Sequence, residues 1–144
     1  LLFTVHPAWD SVCLNGLANV HTVRGEYAEA IALQQQHAEI AAATQDQQSE
    51  GYALGNIGLN YYYLGQYTDA IDYFEKSLSI LRQLRDYRAE QMFLGNLGLA
   101  YYGLGDYQQA ATCHQQASKS SRRRGSPREF GQCLCRSGRF CNSN

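Results

Sequence analysis

Apolar residues recur along this chain at helical spacing, and glycine interrupts the pattern at fixed intervals. Leu54, Ile57, Gly58 and Tyr61 fall at i, i+3, i+4 and i+7, the stripe that one face of a helix buries. This predicts a helix from about Glu50 to Leu64, ended by Gly65, because glycine enters the left-handed conformation without a Cβ penalty. A second helix is predicted from about Tyr67 to Leu84, with Ala70, Ile71, Phe74, Leu78 and Leu81 facing inward.

The same pair of helices is written three times. The stretch Leu54-Gly-Asn-Ile-Gly-Leu-Asn-Tyr-Tyr-Tyr-Leu-Gly-Gln-Tyr-Thr-Asp-Ala70 returns as Leu94-Gly-Asn-Leu-Gly-Leu-Ala-Tyr-Tyr-Gly-Leu-Gly-Asp-Tyr-Gln-Gln-Ala110. A weaker copy runs from Leu14 to Ala30. Gly25, Gly65 and Gly105 are 40 residues apart, as are Tyr27, Tyr67 and Tyr107. Small residues repeat where two helices must cross closely: Ala18, Gly58 and Gly98 at one position, Ala30, Ala70 and Ala110 at the other. Glycine inside a helix costs about 1 kcal/mol relative to alanine, so its use there implies a close helix–helix approach.

Over about residues 8–118 these motifs resemble the tetratricopeptide repeat family: the Leu-Gly pair, the paired tyrosines, the Gly-Asp/Gln-Tyr turn and the alanine of the second helix. The resemblance implies an all-α superhelix, a solenoid of antiparallel hairpins, with repeats in register at about 14–53, 54–93 and 94–133. The period is 40 residues rather than the usual ~34, with the added residues expected around Gln83 to Arg88. This variant resembles the Gly-Asn-Leu-Gly type of scaffold proteins and bacterial regulatory arrays. Leu14, Leu54 and Leu94 stand where the family usually has tryptophan.

The family places the first helix of each hairpin along a concave surface that receives peptides. Carried to this chain, the corresponding stripe holds Asn15, Asn19, Tyr52, Leu59, Tyr62, Tyr63, Met92, Leu99 and Tyr102, with Asn56 and Asn96 beside it. Asparagine amides there would donate to and accept from a peptide backbone, while tyrosine and leucine supply apolar contact. The competing reading is that this stripe packs between neighbouring hairpins. The family's carboxylate clamp uses Lys and Arg on this stripe, and none occurs here. Neither end carries an evident polar capping helix, so dimerisation of the chain through its uncapped ends is an expectation.

Charge divides the 144 residues in two. Residues 1–118 hold 12 acids against five bases; residues 119–144 hold seven bases against Glu129 alone, and the total is −1. Cys133, Cys135 and Cys141 crowd the same basic tail. There the repeat fails, since position 134 should restart Leu-Gly-Asn-Leu-Gly but reads Leu-Cys-Arg-Ser-Gly. Read one nucleotide later, permitted codons for Glu129–Asn144 can yield Asn-Leu-Gly-Asn-Ala-Phe-Ala-Asp-Leu-Gly-Asp-Phe-Ala-Thr-Ala, a repeat-like string. The tail is therefore expected to be a frameshifted remnant of a fourth repeat.

Other chemistry is sparse. Three tail cysteines lack the fourth ligand and paired spacing of structural zinc, so no metal or other cofactor is expected. The arginines of the tail adjoin an acidic body without a basic-aromatic groove, so no nucleic-acid partner is expected. The four histidines form no triad, with His21 at the position of Tyr61 and Tyr101, and no nucleophile elbow or phosphate loop is present. An odd cysteine count, no signal-like leader at Leu1–Val5 and no long apolar run point to a cytoplasmic setting without membrane contact. Position 1 is not methionine, so the chain is expected to begin inside a longer protein. Together these features predict a non-catalytic protein-binding module. The alternatives are a regulatory or sensory segment of a larger signalling enzyme, or a self-associating structural array.

Overall fold

The computed structural model describes residues 7–123, with side chains from Asp10 onward. The readings made for residues 1–6 and for the tail beyond Arg123, including its expected frameshift, lie outside them. Six helices follow one another: α1 Pro7–Arg24, α2 Tyr27–Ala43, α3 Gln47–Tyr63, α4 Tyr67–Gln83, α5 Tyr87–Leu104 and α6 Tyr107–Arg123. Each packs chiefly on its neighbours in sequence, giving three antiparallel hairpins stacked in a row. No strand occurs among the described residues.

Two kinds of tight turn set the period. Within each hairpin the chain reverses at Gly25, Gly65 or Gly105, all left-handed with φ of 80°, 76° and 88°. After α3 the Gln66 amide donates to the Tyr61 carbonyl and the Gly65 amide to that of Tyr62, closing the helix end as a Schellman motif. Between hairpins the same geometry is imposed on residues other than glycine, Gln45 (φ 58°) and Arg85 (φ 56°). The Asp86 amide donates to the Leu81 carbonyl and the Arg85 amide to that of Arg82. In the stretch where added residues are expected, α4 reaches Gln83 and α5 begins at Tyr87, with residues 84–86 between them.

Aspartates open the next hairpins. Asp46 accepts from the Ser49 amide at 3.1 Å and Asp86 from the Ala89 amide at 3.1 Å, each satisfying a free N–H at a helix start. Asp86 also accepts from Tyr52 Oη (3.2 Å) and Gln48 Nε2 (3.3 Å), tying α3 to the start of α5.

The core lies between the second and third hairpins, where Phe74, Leu78, Leu81, Phe93 and Leu94 are fully enclosed. Burying each such side chain contributes roughly 1.5–3 kcal/mol. Glycine makes the crossings fit. A Cβ on Gly58 would lie 2.9 Å from the Phe74 ring and 3.1 Å from the Ala70 carbonyl. A Cβ on Gly55 would lie 2.3 Å from the ring of Phe93. That ring also meets Phe74 (centroids 6.2 Å) and the edge of Tyr52 (6.1 Å).

The expected inward residues of α4 are all buried, and so are Ile57 and Gly58 of α3. Leu54 and Tyr61 are half-buried instead, with Tyr61 stacked on Tyr73 at 5.4 Å. Asn60 takes the deeper place at 1% exposure, accepting from Thr22 Oγ1 (2.9 Å) and donating to the Asn56 carbonyl (2.9 Å). The first hairpin is the polar one. Gln34 stands at the repeat position of Phe74 and His37 at that of Ser77, and both are buried.

The two ends of the stack differ. On α6 the positions equivalent to Ile71, Phe74, Leu78 and Leu81 are Ala111, His114, Ser118 and Ser121, none of them buried. α6 therefore turns a partly polar face outward. On α1, Val12, Leu17, Val20 and Val23 remain exposed.

Candidate functional site

The first helices lie side by side. Thr22 of α1 donates to Asn60 of α3, and Phe93 of α5 sits on Gly55 of α3. Along this row a polar cleft of about 390 Å³ opens between the first two hairpins, lined in part by Asn15, His37, Asp46, Ser49, Tyr52 and Asn56. Asn15, Tyr52 and Asn56 of the predicted stripe are thus brought to one place.

Hydrogen bonds fix the cleft's floor. Gln34 Nε2 donates to Asn15 Oδ1 at 3.1 Å, and Asn56 Nδ2 reaches the same oxygen at 3.5 Å. His37 Nδ1 lies 3.3 Å from Gln34 Oε1 and, in the tautomer with hydrogen there, donates to it. Asn15 accepts twice through one oxygen, which leaves its amide N–H groups for other acceptors. Burial pushes the His37 pKa down, opposed by the charge of Asp46, so the ring favours its neutral form. Hydrogen bonds from the Ser49 hydroxyl and amide hold the Asp46 carboxyl below its ordinary range. Burial, then the Asp86 charge, raises the Tyr52 phenol.

A second cleft of about 580 Å³ continues along α5, where Tyr52, Arg88, Met92 and Gly95 line it. Leu99 and Tyr102 lie further along α5 and are exposed, whereas Asn96 is half-buried. In the central hairpin the stripe is drawn inward. Tyr52, Leu59 and Tyr62 pack against the core, and the Tyr62 ring contacts Tyr63 and Tyr67, both at 5.7 Å. Tyr63 stacks on Tyr27 at 5.2 Å. Asn19 is exposed on α1 and lines neither cleft. The stripe therefore serves hairpin packing at Tyr52, Leu59 and Tyr62, and is exposed at Asn19, Tyr63, Met92, Leu99 and Tyr102.

The sequence pattern puts His37 on a second helix without a role and does not single out Asp46, Ser49 or Asp86. The available signal is the 40-residue spacing of Asp46 and Asp86, each just ahead of a first helix. His21 does take a tyrosine's place, but as a polar contact to Glu26, the counterpart of the Tyr101–Glu75 hydrogen bond (3.2 Å) only in being polar. Among the described residues no group of three or more His, Cys, Asp or Glu is disposed to hold a metal, and no helix is long and apolar enough to cross a membrane.

Comparison with known proteins agrees with this architecture. The chain resembles the crystal structure of the TPR domain of Arabidopsis FLU, with a TM-score of 0.74 and 18% identity over 78% of this chain and 95% of that one. It also resembles aspartyl phosphate phosphatase F from Bacillus subtilis, with a TM-score of 0.75 and 25% identity over 78% of this chain but 30% of that one. None of the curated proteins compared matches it in sequence. The tetratricopeptide repeat family model matches twice, at residues 10–83 and 52–123. With the two matches overlapping on the central hairpin and together reaching all six described helices, the chain belongs to the tetratricopeptide repeat family.

Proposed function

We propose that this chain is a non-catalytic interaction module that receives a peptide segment of a partner protein along the row α1, α3 and α5. The observation that carries this reading is the pair of clefts on that row, polar at Asn15, Asn56 and Asp46 and more apolar at Tyr52, Met92 and Gly95. An extended backbone would take the asparagine amides, and an apolar side chain would reach toward Met92, Leu99 and Tyr102. The acidic body favours a ligand with basic residues, and a cytoplasmic setting accords with free Cys13 and Cys113.

The test is peptide-display selection on the full chain, followed by affinity measurement with the variant Asn56→Ala/Leu99→Ala/Tyr102→Ala. Asn56 makes only a long side-chain bond, and the other two side chains are exposed, so helical content should hold. Binding should weaken at least tenfold. Equal loss from Glu39→Ala/Asp72→Ala, exposed on second helices, would refute the assignment to this row. A second reading, a regulatory segment of a larger signalling enzyme, draws on the likeness to the phosphatase, of which this chain spans 30%.

A further inference from the structure

The two ends of the stack are complementary in register. Among the contacts that join the second hairpin to the third, three recur at open positions elsewhere in the stack. Arg82 Nε donates to Glu90 at 3.0 Å, the Phe93 ring lies on Gly55, and the Tyr67 ring lies on Gly103, where a Cβ would be 2.7 Å away. Moved on by 40 residues, the receiving groups are Arg122, Gly95 and Tyr107. Among the described residues each is open: Arg122 is exposed, nothing lies within 4 Å of a Cβ built on Gly95, and Tyr107 is 63% exposed.

Moved back by 80 residues, the third hairpin's groups Glu90, Phe93 and Gly103 become Asp10, Cys13 and Val23 of α1. These keep a carboxylate opposite the arginine and small or apolar side chains opposite the glycine and tyrosine. Two further α1 residues bear the same mark. Leu17 and Val20 are 49% and 47% exposed, while their counterparts Ile57, Leu97, Asn60 and Ala100 are at most 5% exposed. Among the described residues no helix covers that side of α1.

We propose that a second copy of this chain docks its α1 on the α5–α6 end of the first, continuing the solenoid head to tail. Asp10 of the second copy pairs with Arg122, its Cys13 seats over Gly95, and its Val23 lies under Tyr107. The interface repeats the one already formed between the second and third hairpins, with His114 and Ser118 in place of Phe74 and Leu78 making it weaker. Because the contact is heterologous and repeats the hairpin-to-hairpin step of the solenoid, it leaves a free end on each copy and propagates as open chains instead of closing at a dimer. Gly95 also lines the α5 cleft assigned to peptide, so a docked copy and a bound peptide would meet at that residue.

Sedimentation velocity of the full chain over about a hundredfold range of concentration tests it. The sedimentation coefficient should climb without a plateau at dimer. Val23→Glu and Gly95→Leu alter open positions, at 88% exposure and with no neighbour within 4 Å, so both should keep native circular dichroism. Each should weaken association at least tenfold. Asp10→Arg and Arg122→Asp should each sediment as monomer alone, and mixing the two should restore association. Monomer at every concentration, a dimer that stops growing, or association unchanged in Gly95→Leu would each overturn the proposal.

Discussion

Gly55 and Gly95 occupy the same place in two copies of one motif, yet their surroundings differ completely, so alanine should act on them in opposite senses. In both, exchanging glycine for alanine in a helix interior gains about 1 kcal/mol through reduced unfolded-state entropy. At Gly95 nothing among the described residues lies within 4 Å of the new methyl group, and that gain should appear in full. At Gly55 the methyl group would fall 2.3 Å from Phe93 Cε1 and Cζ and 2.7 Å from Cδ1. The ring cannot simply swing aside, being 1% exposed and wedged between Phe74 and Tyr52. Overpacking of this kind costs about 1–3 kcal/mol, and a rigid ring places the cost toward the upper part of that range. Urea denaturation followed by circular dichroism should therefore show Gly95→Ala stabilised by about 1 kcal/mol and Gly55→Ala destabilised by about 1–2 kcal/mol. Midpoints that move in the same direction by similar amounts would refute the argument that the third hairpin occupies Gly55. Gly98 offers a control of intermediate kind, because its methyl group would meet His114 Nε2 at 2.8 Å, the far end of an exposed side chain that can turn away.

Three further outcomes are expected. Arg85→Gly should raise stability by about 0.5–1 kcal/mol, because the left-handed φ of 56° costs a non-glycine residue about 1–2 kcal/mol and the gain in unfolded-state freedom offsets part of it; a lower denaturation midpoint would contradict this. His37 has its folded pKa pushed down by burial, so its contribution is present above about pH 6.5 and is lost as pH falls through the folded value. Thermal midpoints should drop between neutral and mildly acidic pH, and His37→Gln should flatten that slope. Tyr101 is pushed up to about 12 by burial, then by the Glu75 charge and the hydrogen bond to it. Its stabilisation is full below about pH 10 and lost as pH rises through about 12; ultraviolet titration should show a late-ionising phenol that disappears in Tyr101→Phe.

Periodicity alone makes the helices, the Gly65-type turns and the small residues at crossings legible. Those features depend on local backbone geometry and on one neighbour that is always present, the other helix of the same hairpin. Gly58 against Ala70 and Phe74 is such a case. Burial that depends on the next hairpin is not legible in the same way. Tyr62 and Tyr102, or Leu59 and Leu99, are identical residues at equivalent positions, but the first of each pair packs against the core and the second is exposed. The polar interior of the first hairpin and of its junction with α3 escapes the pattern for another reason. Gln34, His37 and Asn60 resemble surface residues by type, and only their mutual geometry, through Asn15, Asn56 and Thr22, shows how their burial is satisfied.

The difference between centre and ends bears on how a repeat array acquires specificity. In the central hairpin the stripe expected to bind peptide is partly consumed by packing, so the groups free to contact a ligand concentrate at the polar cleft near α1 and along α5. The partly buried network Gln34–Asn15–Asn56 replaces the phenyl packing of the central hairpin with directional bonds, of which the shorter, from Gln34 to Asn15, is worth about 1 kcal/mol net. The first hairpin therefore gives up apolar burial of the kind Phe74 supplies, and in exchange presents ordered amides at a cleft. Replacing Gln34 with leucine would break that network and leave Asn15 Oδ1 without its shorter bond. Stability and ligand affinity should then respond independently, with the fold held by apolar packing and the cleft by its amides.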